Sequence, residues 1–499
     1  MTTITPEPLL KQPAFTPTRK MRIVCIGAGF GSLMIAHKVQ HDLKLEDEID
    51  LCIYDRNADI GGTWFENMYP DSYIFPFEGN PDWSKFYVDQ KEIQAYIKRT
   101  AEKYDLDKHV KLNTTIRETI WDEGSAKWKI KLEQAGELKE DKADFLINAS
   151  GFLNKWKWPG IKGLHDFKGK LLHSARWDNS YQWEGKKVAV IGNEASGIQL
   201  VATMQPKVEK LVNYMRQPTW ISVNFLGDKT PEGDLEQSPN GFFFAMCLDH
   251  PAQAIFQGYC KDRMHGSLVN APDLEKRILP SFKAGCRPLQ QPNCRDCWDT
   301  IERITEKGIK TAAGVEEFDL IVCATGFDSS RRPQWKLVSR DGATLEMWKD
   351  DPEAFFATQV ENLPNYGMIN GPNPAVSHGS VLQQMSWAGD YLLRWIMRMS
   401  RHDIKTLSVK REAVEDYNQY AQECLKLTVW SGECRTLYKN GRSVEKVTGL
   451  YPGSLVHYQR ALEEIGGEHF DITWRSGPTD KDGVGDLAPY FSKYSPVSN

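Results

Sequence analysis

The feature that most constrains this 499-residue chain is a pattern that occurs twice, in which an apolar run leads into a glycine turn and then into a helix-like segment. The apolar runs are residues 21–26 (MRIVCI) and residues 187–191 (KVAVI). Uninterrupted apolar runs of this length are typical of strands buried on both faces, as in a parallel sheet. Each copy is therefore predicted to open a strand–helix–strand unit, and the chain is predicted to be an α/β protein with two Rossmann-like folds.

The first turn has the residues that a dinucleotide-binding fold requires. Gly27 and Gly29 supply the tight turn and let the backbone approach a pyrophosphate, which sits at the N-terminus of the helix. Ser32 takes the third small position. Asp55 follows the next apolar run and is predicted to bind ribose hydroxyls, although it lies beyond the usual spacing of about 20 residues. A glycine turn in another kind of α/β fold is the alternative.

The second turn contains Gly192 and Gly197, with Ser196 between them, and is predicted to bind a second nucleotide. The strand-like run that follows, KLVNYM, leads to Arg216 rather than to an acid. A base there suits the 2′-phosphate of NADP, whereas an ordinary solvated arginine is the alternative. Glu194 occupies the middle glycine position, where a carboxylate beside a pyrophosphate is unfavourable. Either its side chain points away, or NADPH binding is weakened.

Composition narrows the possible partners. Hydrophobic residues make up 40% of the chain and charged residues 26%, as in ordinary globular proteins. The net charge of −5 lacks the basic excess of a nucleic-acid binder. Because we find neither a signal peptide nor an apolar stretch long enough to span a membrane, we expect a cytoplasmic protein. The 16 Trp, 21 Phe and 18 Tyr indicate either core packing or an aromatic-lined pocket for a bulky apolar substrate.

The rest of the chain is organised around the two turns. Residues 144–149 and 319–324 are predicted to be further buried strands. Residues 221–285 read as an irregular helical insertion that covers the site, and residues 299–307 (DTIERITEK) read as helical. Residues 380–430 have helical periodicity in two segments, VLQQMSWAGDYLLRWIMRMS and then REAVEDYNQYAQECLKL. The predicted units are a flexible lead, a discontinuous FAD-binding domain, an NADPH-binding domain and a loosely ordered tail, at residues 1–20, 21–160 with 324–466, 161–323 and 467–499.

The segment from Phe167 to Asp178 resembles the fingerprint of Baeyer–Villiger monooxygenases, F-x-G-x-x-x-H-[ST]-x-x-W-[PD], with His173 and Trp177 at its histidine and tryptophan. It stands just ahead of the second glycine turn, as it does in that family. Other segments resemble motifs of the same family, so that the resemblance extends over residues 20–460: Gly61–Trp64, Tyr69–Pro70, Ala324–Asp328, Gly371–Asn373 and, as in fungal members, 435–458.

This resemblance implies FAD and NADPH as cofactors and dioxygen as a substrate. In the family, NADPH reduces FAD, a C4a-peroxyflavin forms, and one oxygen atom is inserted next to a ketone carbonyl to give an ester or lactone. The cofactor supplies this chemistry, and the protein orients it. The similarity to fungal members suggests an apolar ketone of polyketide or terpenoid origin in secondary metabolism. No metal site is predicted.

The resemblance also assigns residues. Arg287 resembles the family's catalytic arginine, a fixed cation that stabilises negative charge on the reacting oxygens, with a surface arginine as the alternative. Asp71 is either its acidic partner or a flanking residue. The predicted FAD-binding residues are Gly27, Gly29, Ser32, Asp55, Thr63, Trp64, Tyr69, Asp328, Gly371 and Asn373. The predicted NADPH-binding residues are His173, Trp177, Gly192, Ser196, Gly197 and Arg216.

Two departures from the family leave alternatives open. A short stretch after Pro70 is absent, and so, we expect, are a segment after Arg287 and the strand of the nucleotide-binding sheet that follows it. Oxygenation of nitrogen or sulfur is one alternative activity. A non-catalytic flavoprotein-like fold is another. A third is disulfide reduction through the C-x-x-C pair Cys294 and Cys297, which by itself is a weak motif.

Overall fold

The structure is a computed structural model. It describes residues 19–67, 73–84, 88–216, 291–375, 380–432, 436–442 and 446–475. Within these ranges the chain is a mixed α/β protein built around two five-stranded parallel sheets. No helix among the described residues combines the length and the hydropathy needed to cross a membrane.

The strands are numbered in chain order: β1 Met21–Ile26, β2 Ile49–Tyr54, β3 Val110–Lys111, β4 Thr114–Asp122, β5 Lys127–Gln134, β6 Glu137–Ala143, β7 Phe145–Asn148, β8 Lys170–His173, β9 Lys187–Ile191, β10 Lys210–Tyr214, β11 Cys294–Cys297, β12 Arg303–Ile304, β13 Gly308–Thr311, β14 Gly314–Glu317, β15 Leu320–Cys323, β16 Lys336–Val338, β17 Tyr366–Met368, β18 Ile404–Val409 and β19 Phe470–Trp474. The α-helices are α1 Phe30–His37, α2 Thr63–Glu66, α3 Gln90–Lys103, α4 Ala195–Met204, α5 Val381–Arg401, α6 Arg411–Leu425 and α7 Leu455–Glu463.

The first sheet has the strand order β17-β7-β1-β2-β3, and all its neighbours are parallel. Along β1, Ile23 and Cys25 join the core cluster formed with α1 and α5, while Val24 and Ile26 join the cluster formed with β4 and β5. Because alternate side chains of a strand point to opposite faces, both faces of β1 are covered. This explains why the run over residues 21–26 is apolar throughout.

The second sheet has the order β11-β10-β9-β15-β8 and is likewise parallel. Val188 and Val190 of β9 pack with α4 on one face, and Ala189 and Ile191 pack against a small antiparallel sheet, β12-β13-β14, on the other. These two parallel sheets confirm the predicted fold class. The predicted helical insertion over 221–285 lies outside the described residues.

The chain crosses between the two sheets twice. It leaves the first sheet after β7 and enters the second at β8, and it returns after β15 to β16, which pairs with β4. The two crossing segments run side by side, because Trp156 forms an antiparallel bridge with Phe327 and the Asp328 N–H donates to the Lys155 carbonyl (2.7 Å). The second sheet is therefore inserted within the chain of the first.

The prediction of a helix over residues 299–307 is wrong, because this segment contains β12, the first strand of the small antiparallel sheet. Ile301 and Ile304 have the three-residue spacing of a helix, but Ile304 pairs with the buried Ile309 across a tight turn. At Gly308 an added Cβ would lie 1.9 Å from the Glu316 carbonyl oxygen. A glycine is therefore needed where the two strands approach each other.

The strand expected to be absent after Arg287 is present. Residues Cys294–Cys297 form β11, which pairs in parallel with β10 at the edge of the second sheet. Its short sequence, CRDC, carries two charges and so lacks the apolar run by which the other strands were found. The second sheet therefore keeps five strands.

The two helical segments predicted within residues 380–430 are confirmed as α5 and α6, with β18 between them. Part of the tail predicted to be loosely ordered is a strand, since Phe470–Trp474 pairs antiparallel with β18. The Phe470 ring lies 4.7 Å from the Trp395 ring and is buried. Residues 476–499 lie outside the described residues.

Candidate active site

The first glycine turn joins β1 to α1 with almost no side-chain volume. Gly27 has φ +107°, and an added Cβ would lie 2.7 Å from the Ala149 carbonyl oxygen that follows β7. Gly29, at the N-cap of α1, has no side-chain cap, and its Cα faces Gly62. An added Cβ on Gly62, at φ +54°, would lie 3.0 Å from the Gly29 Cα. Bare backbone beside an uncapped helix N-terminus fits the pyrophosphate of a dinucleotide.

The residues beside this turn divide into surface and core. Thr63 begins α2 and is exposed, so its side chain is free to meet a ligand. Trp64 is buried, with its ring 5.2 Å from that of Tyr73, and Ser32 is completely buried in α1. Trp64 and Ser32 therefore belong to the core that packs beneath the glycine turn.

Asp55 directly follows β2 and is buried. Its Oδ2 accepts the N–H of Ala28 in the glycine turn (2.6 Å), and its Oδ1 accepts the N–H of Asn57 (2.8 Å). Desolvation raises the pKa of this carboxyl, and the two backbone donors partly offset that shift. Asp55 therefore fixes the shape of the phosphate turn, and each oxygen keeps a lone pair for a ribose hydroxyl.

The loop after β17 contains Gly371 and Asn373. An added Cβ on Gly371 would lie 2.6 Å from the Ala357 carbonyl oxygen. The Asn373 amide donates to the Val447 and Leu450 carbonyls at 2.7 Å each, so this side chain ties two loops together. Asn373 therefore has a structural role. The sequence motif marks the residue but does not reveal this role.

Asp328 lies at the return crossing, where its carboxylate pairs with Lys155 of the other crossing segment (3.2 Å). The charged and hydrogen-bonding partners Lys155 and Ser330 lower the pKa of Asp328 and offset the cost of its burial. The carboxylate therefore links the two crossing segments.

His173 is the last residue of β8 and is almost completely buried between the two crossing segments. Its Nδ1 accepts the Ala175 N–H (3.1 Å), its Nε2 lies 3.4 Å from Thr325 Oγ1, and its ring lies 4.8 Å from the Trp156 ring. Burial lowers the pKa of His173 to about 4. The imidazole is therefore neutral near neutral pH and connects β8 to both crossings.

Trp177, the other fingerprint residue, is half-buried and packs against the core of the second sheet together with Trp183. The neighbouring Asp178 pairs with Lys170. Among the described contacts, Trp177 supports the sheet, and its predicted contact with NADPH stays a prediction.

The second glycine turn repeats the geometry of the first. Gly192 has φ +115°, and an added Cβ would lie 2.3 Å from the Ala324 carbonyl oxygen after β15. Its N–H donates to the Tyr214 carbonyl (3.0 Å), as the Gly27 N–H donates to that of Tyr54 (2.8 Å). The two turns are therefore equivalent.

The end of β10 differs from the end of β2 in charge. The equivalence of the turns places Met215, rather than an acid, where the first site has Asp55. Arg216 comes next and is exposed. An apolar residue followed by an exposed base suits a nucleotide with a 2′-phosphate.

The remaining residues of the second turn belong to α4. Glu194 is the N-cap and is exposed, and Ser196 is half-buried in the first turn of the helix. Gly197 is buried, where an added Cβ would lie 2.3 Å from the Gly192 carbonyl oxygen. Glu194 is exposed, so its carboxylate is solvated and not buried beside the turn.

Several predicted residues lie outside the described ranges, namely Tyr69, Asp71 and Arg287. Their roles stay predictions. Sequence reasoning in turn missed Arg331, Phe152 and Asn370, which meet beside the loop after β17. An arginine after a turn has no sequence signal that separates it from a surface residue.

The C-x-x-C pair cannot form a disulfide in this fold. Cys294 and Cys297 are the two ends of β11, both buried and both free. They belong to different core clusters on opposite faces of the sheet. Residues three apart in a strand have Cα atoms roughly 10 Å apart, whereas a disulfide requires about 4.4–6.8 Å. Disulfide reduction through this pair is therefore excluded as the activity.

Two glycine cradles at the carboxyl ends of two parallel sheets, connected by a paired crossing, define a protein with two dinucleotide-binding folds. A family model described as "Flavin-binding monooxygenase-like" matches residues 66–232. The chain is 44% identical to the FAD-binding monooxygenase tazF of Aspergillus terreus, over 93% of this chain and 91% of that protein. It is 30% identical to a Baeyer-Villiger monooxygenase of Pseudomonas aeruginosa, over 93% of each.

The chain therefore belongs to the flavin-binding monooxygenase family. It is a flavin-dependent monooxygenase. The solved structure of cyclohexanone monooxygenase from Rhodococcus sp. Phi1 bound to NADP+ shares the fold, with a TM-score of 0.76 at 22% identity, over 92% of this chain and 100% of that chain. These findings confirm the predicted family and its flavin cofactor.

Proposed function

We propose that this enzyme is a Baeyer–Villiger monooxygenase that acts on an apolar ketone. A ketone, dioxygen, NADPH and a proton give an ester or lactone, NADP+ and water. One oxygen atom enters the bond between the carbonyl carbon and its neighbour, and the other leaves as water. FAD supplies the oxygen-activating chemistry when it is bound. The Pseudomonas relative, which is named a Baeyer-Villiger monooxygenase, supports this reading.

The observation that carries the proposal is the position of His173. The fingerprint strand β8 ends where the two crossing segments meet, and the buried neutral imidazole contacts both of them. The contacts of a residue at this junction depend on how the second sheet is placed relative to the first. Transfer of a hydride from NADPH to FAD requires that placement to be precise.

Each sheet has its own proposed cofactor. We assign FAD to the first sheet, with Gly27 and Gly29 at its pyrophosphate and Asp55 at its ribose, and NADPH to the second, with Gly192 at its pyrophosphate and Arg216 at its 2′-phosphate. The proposed domain boundaries follow the two crossings: 21–160 with 324–466 for FAD, and 161–323 for NADPH. Arg287 is proposed to stabilise negative charge during oxygen transfer.

The test is rapid mixing of the purified holoenzyme with NADPH in the absence of oxygen, followed by oxygen and a panel of ketones, sulfides and amines. Bleaching of the oxidised-flavin absorbance by NADPH is expected, and mass spectrometry should find esters or lactones with one atom of isotopically labelled dioxygen. Only sulfoxides or N-oxides would move the assignment to heteroatom oxygenation. Bound FAD that NADPH does not reduce would contradict the assignment of the second sheet.

The substrate is proposed to be a ketone of polyketide or terpenoid origin in fungal secondary metabolism. The fungal relative that is 44% identical supports this origin, as does the abundance of aromatic residues. A ketone panel graded by size tests the idea. Preference for small cyclic ketones over polycyclic ones would contradict it.

A further inference from the structure

Arg331 is an arginine that the activity described so far does not use. It follows the return crossing, has only 6% of its surface exposed, and has φ +58°, a backbone conformation that non-glycine residues seldom adopt. Its Nε donates to the Asn370 carbonyl (3.2 Å) and its Nη1 to the Thr448 carbonyl (3.3 Å). The guanidinium lies 4.7 Å from the centre of the Phe152 ring. The side chain is thus held in one place by neutral groups.

No carboxylate of the described residues forms an ion pair with this guanidinium, whereas the adjacent Arg332 pairs with Glu346 and Asp328. Burial lowers the pKa of Arg331 to about 10, which leaves it charged near neutral pH. Among the described residues Nη2 donates no hydrogen bond, and it is not among the fully enclosed unpartnered polar atoms, so it is accessible to a ligand. A buried cation with an available donor favours an anion as its ligand.

The strand order locates this cation relative to the proposed FAD. The ribose acid Asp55 follows β2, the phosphate turn at Gly27 follows β1, Phe152 comes after β7 and Asn370 after β17. Adjacent strands are about 4.8 Å apart, so Phe152 and Asn370 lie one and two strands beyond the phosphate turn, on the side away from Asp55. If the ADP half covers β2 and β1, Arg331 lies at the flavin-ring end, where the substrate must also bind.

We infer that Arg331 is a specificity-determining residue that binds a carboxylate of the substrate at the flavin-ring end of the site. This rests on the proposed function, and it narrows the substrate to a ketone whose otherwise apolar skeleton also carries an acidic group. The oxidised flavin ring is neutral and the FAD phosphates are assigned to the Gly27 turn, so bound FAD would supply no anion here in the resting enzyme. A planar guanidinium held by backbone carbonyls can offer its remaining N–H groups to a carboxylate.

Benzoate and its neutral isostere benzamide are suitable probes, measured by calorimetric titration of the oxidised holoenzyme. We expect benzoate to bind at least about tenfold more tightly than benzamide, since a charge-assisted hydrogen bond commonly gives that factor or more. Arg331→Met should remove this preference while benzamide affinity changes less than about threefold. Arg331→Lys should keep most of it, and the matched control Arg332→Met should keep all of it.

Flavin content and thermal unfolding are measured for every variant, so that misfolding is recognised. If Arg331→Met does not fold, the inference is tested by the preference for benzoate over benzamide in the wild type and in Arg331→Lys. Equal binding of the two probes, or no binding of benzoate, would overturn the inference. So would an Arg331→Met enzyme that keeps its benzoate preference but has a shifted flavin reduction potential, because the cation would then serve the cofactor. A protein without flavin would instead contradict the proposed function, and calorimetry would still report on benzoate.

Discussion

At the scale of single residues, Gly27 and Gly192 have the same requirement in two different sites. Each has a positive φ, and in each case an added Cβ would collide with a carbonyl oxygen of the neighbouring strand's loop, at 2.7 Å and 2.3 Å. Alanine at either position adds backbone strain of roughly 1–2 kcal/mol to that collision. Each substitution therefore distorts only the nucleotide-binding turn in which it lies.

Gly192→Ala is therefore expected to raise the KM for NADPH by at least about tenfold while the protein keeps its flavin. Gly27→Ala is expected to lower the flavin content itself. Flavin-to-protein absorbance ratios and steady-state kinetics measure both effects. Gly160→Ala is the control, because a Cβ there meets no atom within 4 Å. Loss of flavin from Gly192→Ala would contradict the assignment of the two sheets.

His173 makes stability depend on pH. Its pKa is about 4 in the folded protein because of burial, against about 6.5 when unfolded. The unfolded chain therefore takes up the proton first as pH falls. The stability contributed by neutral His173 is complete above about pH 6.5 and is lost progressively towards about pH 4, up to roughly 3 kcal/mol.

Urea unfolding at about pH 7 and about pH 5 should show this loss in the wild type and a smaller loss in His173→Gln. His165→Gln, at an exposed position beside the Trp158 ring, should behave as the wild type. An unchanged pH dependence in His173→Gln would show that the imidazole is not kept neutral by burial.

At the scale of elements, β19 shows how much a short strand contributes. Its partner β18 packs under α5, and Phe470 buries its ring against Trp395. Truncation after Gly466 would remove the strand and this ring, and loss of a buried phenylalanine side chain alone costs about 3–5 kcal/mol.

Truncation after Gly466 is accordingly expected to give an insoluble or strongly destabilised protein, whereas truncation after Arg475 keeps β19. Thermal unfolding and the soluble fraction on expression compare the two. Equal stability of the two truncated proteins would show that β19 does not support the first sheet.

The sequence predicted the elements whose patterns are long and local, and missed those set by tertiary contacts. β1, β9 and β15 were found because strands buried on both faces must be apolar. β11 was missed because only its two cysteines are apolar, and β12 because Ile301 and Ile304 share the spacing of a helix. Both segments are strands because they pair with neighbouring strands, and a local sequence pattern does not reveal such pairing.

The site was predicted in the same way. Glycines at the two turns follow from backbone geometry, which a motif records directly. Asn373 and Trp64 were grouped with the ligand-binding residues because they are part of motifs, but in the fold they hold loops and core together. Arg331 was missed because nothing in its neighbours along the chain predicts its burial.

At the scale of the whole molecule, the two sheets are connected by the paired crossing segments. Trp156 bridges to Phe327 and packs on His173, so it connects both crossings to the fingerprint strand. Trp156→Ala is expected to slow flavin reduction by NADPH about tenfold or more, because a small displacement of the reacting atoms is costly. Flavin content and NADP+ affinity should change little.

Rapid-mixing absorbance separates the reduction rate from nucleotide affinity. Trp474→Ala, which removes a half-exposed tryptophan far along the chain, is the control and should leave the rate unchanged. A lower NADP+ affinity with an unchanged limiting rate would place Trp156 in nucleotide binding rather than in the alignment of the sheets.

The insertion of one sheet within the chain of the other also sets an order of assembly. The second sheet has all its strands once synthesis passes Cys323, whereas the first lacks β17 until Met368 has been made. Because translation is slower than most folding steps, a nascent chain can complete the inner unit while the outer one still exposes an unpaired edge at β7. Strand β7 is thus made before every strand of the second sheet, yet it gains its second neighbour, β17, only after that sheet is complete.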